Sequence, residues 1–200
     1  MTEDLVDTQP RLRPGRPRSE QSKVAVLRAA SELMQEVGLR AMTTELIAAR
    51  SGASKATIYK WWPNKYTVAV EAFLSEMLAE APDPDTGSAR EDFCIVLRGV
   101  MHFYSTPTGR VFGQLVGEAQ FDPLVHAELR GVFIQSRRRV ARAIWDRGVA
   151  RGELRADVDP EIGIDLVFAP AIYRLVTGNG ALDAAAAEAV VVAAMSGLAM

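Results

Sequence analysis

The chain is expected to be all-α. Apolar residues recur at helical spacing along most of its 200 residues. No stretch alternates convincingly with period two, and residues that start and stop helices punctuate the apolar runs.

The elements follow in order. A leading helix spans Lys23–Gly38, with Leu27, Ala30, Leu33 and Met34 on its apolar side. Thr44 is placed as the N-cap of a short helix carrying Leu46, Ile47 and Ala48, and Glu45 puts negative charge near that helix's positive end. Gly52 suits the positive φ that ends a helix, and Ser54 suits the cap of the next. Pro63 stops that next helix, Lys55–Trp61, because Trp62 before it is pushed toward extended geometry. Asn64 then caps a helix that begins at Lys65 and runs through Val68, Ala69, Ala72, Phe73, Met77 and Leu78. The run Pro82-Asp83-Pro84-Asp85-Thr86-Gly87 breaks the chain. Beyond it, helices are expected over Ala89–Ser105, Arg110–Gln120, Pro123 to about Arg151, Pro160 to about Thr177, and from the Asp183 cap to about Leu198.

The segment Thr43–Lys65 is the most informative. It reads helix, tight turn, helix, and the second helix holds Lys55, Ala56, Thr57, Tyr59, Lys60 and Trp61, with hardly any apolar content to bury. Such a helix is built to touch something outside the protein. At about 1.5 Å per residue it spans about 10 Å, which fits the roughly 12 Å major groove of B-form DNA. Lys55, Ala56, Thr57 and Trp61 are candidates to meet base edges: lysine toward guanine acceptors, Ala56 or the Thr57 methyl toward a thymine methyl. Glu45 is a further candidate, accepting from a cytosine amino group. Lys60 serves either a groove wall or solvent, and Trp61 either stacks on the sugar-phosphate backbone or packs inside the domain.

Together with the helix before it, this block resembles the DNA-binding domain of the tetracycline-repressor (TetR) family. The resemblance rests on Lys23–Gly38, the Thr43-Thr44 pair, the turn SGASKATIY and the aromatic-Pro-Asn-Lys exit at Trp62–Lys65, and it covers about Ser22 to Phe73 without gaps. It implies that Thr44, Tyr59 and Lys65 hold phosphates, contacts that set register while base contacts select sequence. Ile47 and Ile58 are structural.

Ahead of the head, Arg11-Leu12-Arg13-Pro14-Gly15-Arg16-Pro17-Arg18 is expected to be an extended basic arm, because its prolines and glycine disfavour helix. Its Gly15-Arg16-Pro17 segment resembles an AT-hook core. Arg16 and Arg18 suit a narrow, electronegative minor groove, and the alternative is a solvated tail with non-specific attraction only. Charge agrees with this division. Residues 1–70 hold 11 Lys/Arg against 7 Asp/Glu, residues 71–200 hold 12 against 18, and the whole chain carries −2. A localised basic footprint on an acidic protein argues against a general nucleic-acid coat.

The expected organisation is a basic arm (1–18), a helix-turn-helix domain (19–66), a connecting helix (67–81) and a helical regulatory and dimerisation domain (82–200). The last two helices are apolar on too many sides for one buried stripe. A symmetric homodimer through a four-helix interface is therefore expected, using Leu166, Ile172, Leu175, Ala186, Val190, Ala194 and Leu198. Its two heads would address half-sites about 34–36 Å apart, or a multiple of that, on a palindromic double-stranded operator. A pocket for a small apolar or amphipathic effector is expected from Met101, Phe103, Tyr104, Phe112, Phe133, Trp145, Phe168 and Tyr173, with His102, Gln114 and Gln135 as polar contacts. Pro170, inside a helix, either shapes that cavity or bends the helix around the core.

Other features carry bland readings. The Arg137-Arg138-Arg139 run with Arg142 reads as a solvated, partly paired face rather than a second DNA site. His102 and His126 form no visible triad, and Cys94 lies in an apolar helix with no sign of thiolate activation. No enzyme activity, cofactor or metal site is expected. A single cysteine suggests a reducing, cytoplasmic setting. Met1–Pro10 is too acidic and polar for a signal peptide, and Asp183 and Glu188 interrupt the most apolar stretch, so no membrane span is expected. Two rival readings are a helical small-molecule-binding protein without DNA readout and an AT-preferring architectural protein led by the arginine arm.

Overall fold

The computed structural model describes residues 16–79 and 83–199. They form eleven α-helices: α1 (Arg16–Glu36), α2 (Gly38–Ala41), α3 (Thr44–Ser51), α4 (Lys55–Trp61), α5 (Lys65–Ala79), α6 (Ala89–Ser105), α7 (Pro107–Glu118), α8 (Pro123–Glu128), α9 (Gln135–Ala150), α10 (Pro160–Thr177) and α11 (Ala184–Leu198). A π-helical turn, Leu129–Ile134, joins α8 to α9. Among the described residues the only β pairing is one isolated bridge, Leu154 with Ala199. The all-α expectation holds.

Several boundaries differ from expectation, each for a local reason. α1 begins at Arg16, so residues 16–18 are its first turn and not an extended arm. A proline is tolerated there because first-turn N–H groups have no helical partner to lose. Residues 1–15, and the side chains of Arg16 and Arg18, lie outside the described residues. The N-cap of α3 is Thr43, not Thr44: the Thr43 hydroxyl accepts from Leu46 N at 3.2 Å, which makes Thr44 the first helical residue. Two adjacent threonines both suit a cap by type, and backbone geometry chose the first. α7 starts three residues early, with Pro107 in its first turn and the Thr106 hydroxyl accepting from Gly109 N. The long helix expected from Pro123 is interrupted by the π-helical turn around Gly131, since glycine resists departure from α geometry least.

The head is small and fully packed. Val26, Ala30, Leu33 and Met34 of α1 close over Leu39, Met42, Ile47, Ile58 and Trp62, all buried. The Trp62 indole N–H donates to Glu71 Oε2 at 2.6 Å, and Lys23 pairs with the same carboxylate, which ties α1, the end of α4 and α5 together.

α5 carries the head into the body. Its Phe73 stacks on Phe112 of α7 at 5.1 Å between centroids, and Phe112 stacks on Tyr104 of α6 at 5.4 Å. A polar strut runs beside this column, from the Gln35 side-chain amide to the Thr108 hydroxyl at 2.8 Å. The loop before α6 is fastened from below. Asp92, fully buried, accepts from the backbone N–H and the hydroxyl of Thr86, both at 2.8 Å, while Arg147 of α9 donates to Pro84 O. Pro170 lies within α10, as expected. Among the described residues no helix is long and apolar enough to cross a membrane.

Candidate nucleic-acid interface

Local chemistry sets α3 and α4 in place. α3 ends on Gly52 at φ 71°, in the left-handed region a side chain would strain, and Gly52 N donates to Ala48 O. α4 starts where the Ser54 hydroxyl accepts from Thr57 N at 3.1 Å. It stops at Trp62, which is extended ahead of Pro63. α5 then begins at once, with Asn64 Oδ1 accepting from both Tyr66 N and Thr67 N.

α4 buries one residue, Ile58. Lys55, Ala56, Tyr59, Lys60 and Trp61 all face solvent, and Thr57 is half-buried. Trp61 does not pack inside the domain: it is 42% exposed, flanked by the ammonium groups of Lys23 and Lys60 at 5.7 and 5.9 Å from its ring. Tyr59 is 51% exposed beside it. The result is a short rod with a cationic and aromatic outer face, a composition suited to phosphate and base contacts.

Several of the expected contact residues are held within the chain. Lys55 Nζ donates to Glu45 Oε1 at 2.7 Å, joining the first turns of α4 and α3. This bond holds the Glu45 carboxyl below the usual range and raises the Lys55 ammonium above it. Thr44 is buried against the head. Lys65 turns back to donate to the carbonyls of Leu39 and Arg40, at 3.1 and 2.8 Å, capping α2, and partial burial pushes its pKa down. Sequence reading missed α2, a single turn too short to show periodicity, and so could not supply this second task for Lys65.

The expected effector residues divide into two groups. Met101, Phe103, Tyr104, Phe112 and Trp145 are buried, with Phe168 partly so against Phe93. His102, Gln114, Gln135 and Tyr173 are exposed, so the structure does not bring them into an enclosed space with the aromatic core. The Phe133 side chain lies outside the described residues.

The residues expected for self-association differ in exposure. Leu198 is buried in its own chain, and its carbonyl accepts from Arg155 N. Ile172, Leu175, Ala186, Val190 and Ala194 pack partly against the core. Only Leu166 of the expected set is exposed by half, at 51%. It belongs to a stripe of exposed residues on α10, Ile162, Leu166, Ala169, Tyr173 and Val176, continued on α11 by Ala185, Ala189 and Val192. The spacing of 4, 3, 4 and 3 residues along α10 was a readable signal. What it could not say is which side of an all-round apolar helix faces out.

The basic run on α9 is largely paired where it is described. Arg138 forks onto Glu161 and Asp165 of α10, and Arg142 pairs with Asp146 at 2.8 Å. Burial pushes the Cys94 thiol up, away from the reactive thiolate.

This fold and this surface define a helix-turn-helix protein with a separate helical body. Comparison with known proteins gives the family. Residues 26–72 match the family described as bacterial regulatory proteins, tetR family, and residues 83–194 match the tetracyclin repressor-like C-terminal domain. The HTH-type transcriptional regulator YdeS of Bacillus subtilis (strain 168) is 41% identical over 170 residues, 84% of this chain and 86% of that protein. The DNA-binding transcriptional repressor TetR of Mycobacteroides abscessus is 28% identical, over 83% of this chain and 87% of its own length. Among solved structures, the TetR family transcription regulator SCO0332 superposes with a TM-score of 0.79 at 31% identity, covering 90% of this chain and 100% of that one. FadR of Bacillus subtilis, solved in complex with stearoyl-CoA, shares the fold at a TM-score of 0.67 and 18% identity, covering 87% and 98%. The chain belongs to the TetR family of transcriptional regulators and carries that family's helix-turn-helix DNA-binding domain.

Proposed function

We propose that this regulator is a homodimeric repressor that binds a palindromic operator through α4 and leaves it when a small apolar or amphipathic molecule enters the body. The observation that carries this reading is the exposure of α4. A seven-residue helix that buries only Ile58 and offers Lys55, Ala56, Tyr59, Lys60 and Trp61 to solvent has its chemistry aimed at an outside partner. In this reading Lys55, Ala56 and Thr57 face base edges. Tyr59, Lys60 and Trp61 lie along the backbone, and Lys65 and Thr44 support the approach from within the head. Arg16 and Arg18 add positive charge to the part of the sequence that holds the head.

The exposed apolar stripe of α10 and α11 supports pairing with a second copy, which would remove it from water. The buried Met101, Phe103, Tyr104, Phe112 and Trp145 give the body the apolar interior an effector would enter. The same architecture holds stearoyl-CoA in the FadR structure. An effector acts only if it favours one head spacing over the other, and the aromatic column from Phe73 through Phe112 to Tyr104 is the contact path along which that preference reaches α5.

The test is selection from a random-duplex pool at moderate salt, followed by footprinting of the winners. The reading expects an enriched inverted repeat protected on one face of the duplex. A pool with no enriched motif would overturn it.

A further inference from the structure

The pair between Glu45 and Lys55 is not explained by folding. Both side chains are more than half exposed, at 63% and 52%, where water screens the pair and it adds little to the stability of the fold. Lys55 also occupies the first position of α4, where a cation opposes the positive end of the helix dipole. Glu45, in the first turn of α3, is where a carboxylate is favoured, and its Oε1 reaches across the Ser51-Gly52-Ala53 turn to hold the ammonium at 2.7 Å. An unfavourably placed lysine is therefore fixed by an acid on the very surface that would meet an anionic polymer. That acid costs affinity for every duplex alike, whatever its sequence.

We propose that Glu45 is a positioning residue for sequence readout: it holds the Lys55 ammonium away from phosphates and aims its free N–H groups at a base edge, without touching a base itself. An untethered lysine is a flexible point charge, and the nearest phosphate captures it. Phosphate contacts carry no sequence information. An ammonium has three donors, and with one committed to Glu45 the other two leave in set directions. Glu45 thus exchanges general affinity for discrimination. The inference rests on the reading that α4 enters the groove, and it replaces the expectation that Glu45 accepts directly from cytosine.

The experiment uses the full chain as wild type, Glu45→Gln, Lys55→Ala and the double variant, against three duplexes. These are the selected operator, the operator changed at the one base pair whose preference Lys55→Ala relaxes, and a random sequence, each over a salt series. Unchanged thermal midpoints serve as the folding control, since both side chains are exposed. For Glu45→Gln the expected result is tighter binding to the random duplex and a loss of discrimination at the Lys55-dependent base pair of roughly tenfold. The slope of log affinity against log salt should steepen by about 0.9 for each phosphate newly engaged. In the Lys55→Ala background, Glu45→Gln should leave base preference unchanged, because the two residues act as one unit. A change of base preference in that background would show that Glu45 reads a base itself. Equal weakening of all three duplexes with an unaltered salt slope would show a structural role. Either result overturns the proposal, as does an enriched motif whose discrimination is untouched by Glu45→Gln. A wild-type chain that enriches no motif removes the operator reading instead, a separate outcome.

Discussion

α4 and α10 each leave one face in water, and the two faces could hardly differ more. α4 buries Ile58 and shows solvent two lysines, a tyrosine and a tryptophan. α10 buries Gly163, Ile164, Val167 and Ala171 and shows solvent Ile162, Leu166, Tyr173 and Val176. Exposure alone therefore says little; the chemistry of what is exposed names the partner. A cationic, aromatic face gains by meeting phosphates and bases, whereas an apolar face gains only by leaving water, and a second copy of itself is the partner always at hand.

The sharpest way to break this contrast is to charge the apolar face. Leu166→Asp combined with Tyr173→Asp should place two unpaired carboxylates from each protomer, four in all, in the proposed interface at a cost of about 4–6 kcal/mol, roughly a thousandfold or more in dissociation constant. Sedimentation should then find monomers, with operator affinity falling in step and the folded monomer intact. Dimers persisting at the same concentration would show that this stripe is not the interface.

The buried side of the same helix should respond in another currency. A Cβ on Gly163 would lie 2.1 Å from Cζ3 of the buried Trp145 ring, so Gly163→Ala should cost the body about 2–3 kcal/mol, read as a shifted denaturant midpoint. Its effect on association should follow only from that loss.

On α4 the effects are smaller and concern choice more than stability. Lys55→Ala should relax preference at one base pair by roughly 1–3 kcal/mol while leaving the melting temperature in place. Equal effects on matched and mismatched duplexes would remove its base-reading role. Smallest is Lys65→Ala. Freeing the carbonyls of Leu39 and Arg40 should cost about 1 kcal/mol in the stability of the head, and affinity for all duplexes should fall together. A change in sequence preference would show that Lys65 does more than brace the scaffold.

Much of the head was legible because its signals are local. The Ser54 and Asn64 caps, the Gly52 turn and the Pro63 stop each act within three or four residues, so type and spacing were enough to place α4 from Lys55 to Trp61. Where two equally suitable residues stood side by side, as at Thr43 and Thr44, local chemistry could not choose between them. The opening turn of α1 was misjudged because proline's effect depends on its position in a helix, and nothing in Arg16-Pro17-Arg18 says that a helix starts there.

The body was legible in its elements but not in its sides. Composition and spacing alone determined that this is an all-α protein, with a polar helix-turn-helix member near its front and a surplus of apolar surface at its end. Only the tertiary structure decided that Leu198 turns inward while Ile162 and Val176 turn out, that Trp61 stays at the surface while Trp62 is buried, and that Lys55 is held by Glu45. These are contacts between residues distant in the chain or on opposite sides of a turn. A helix that is apolar all round has no inner face until its neighbours pack against it.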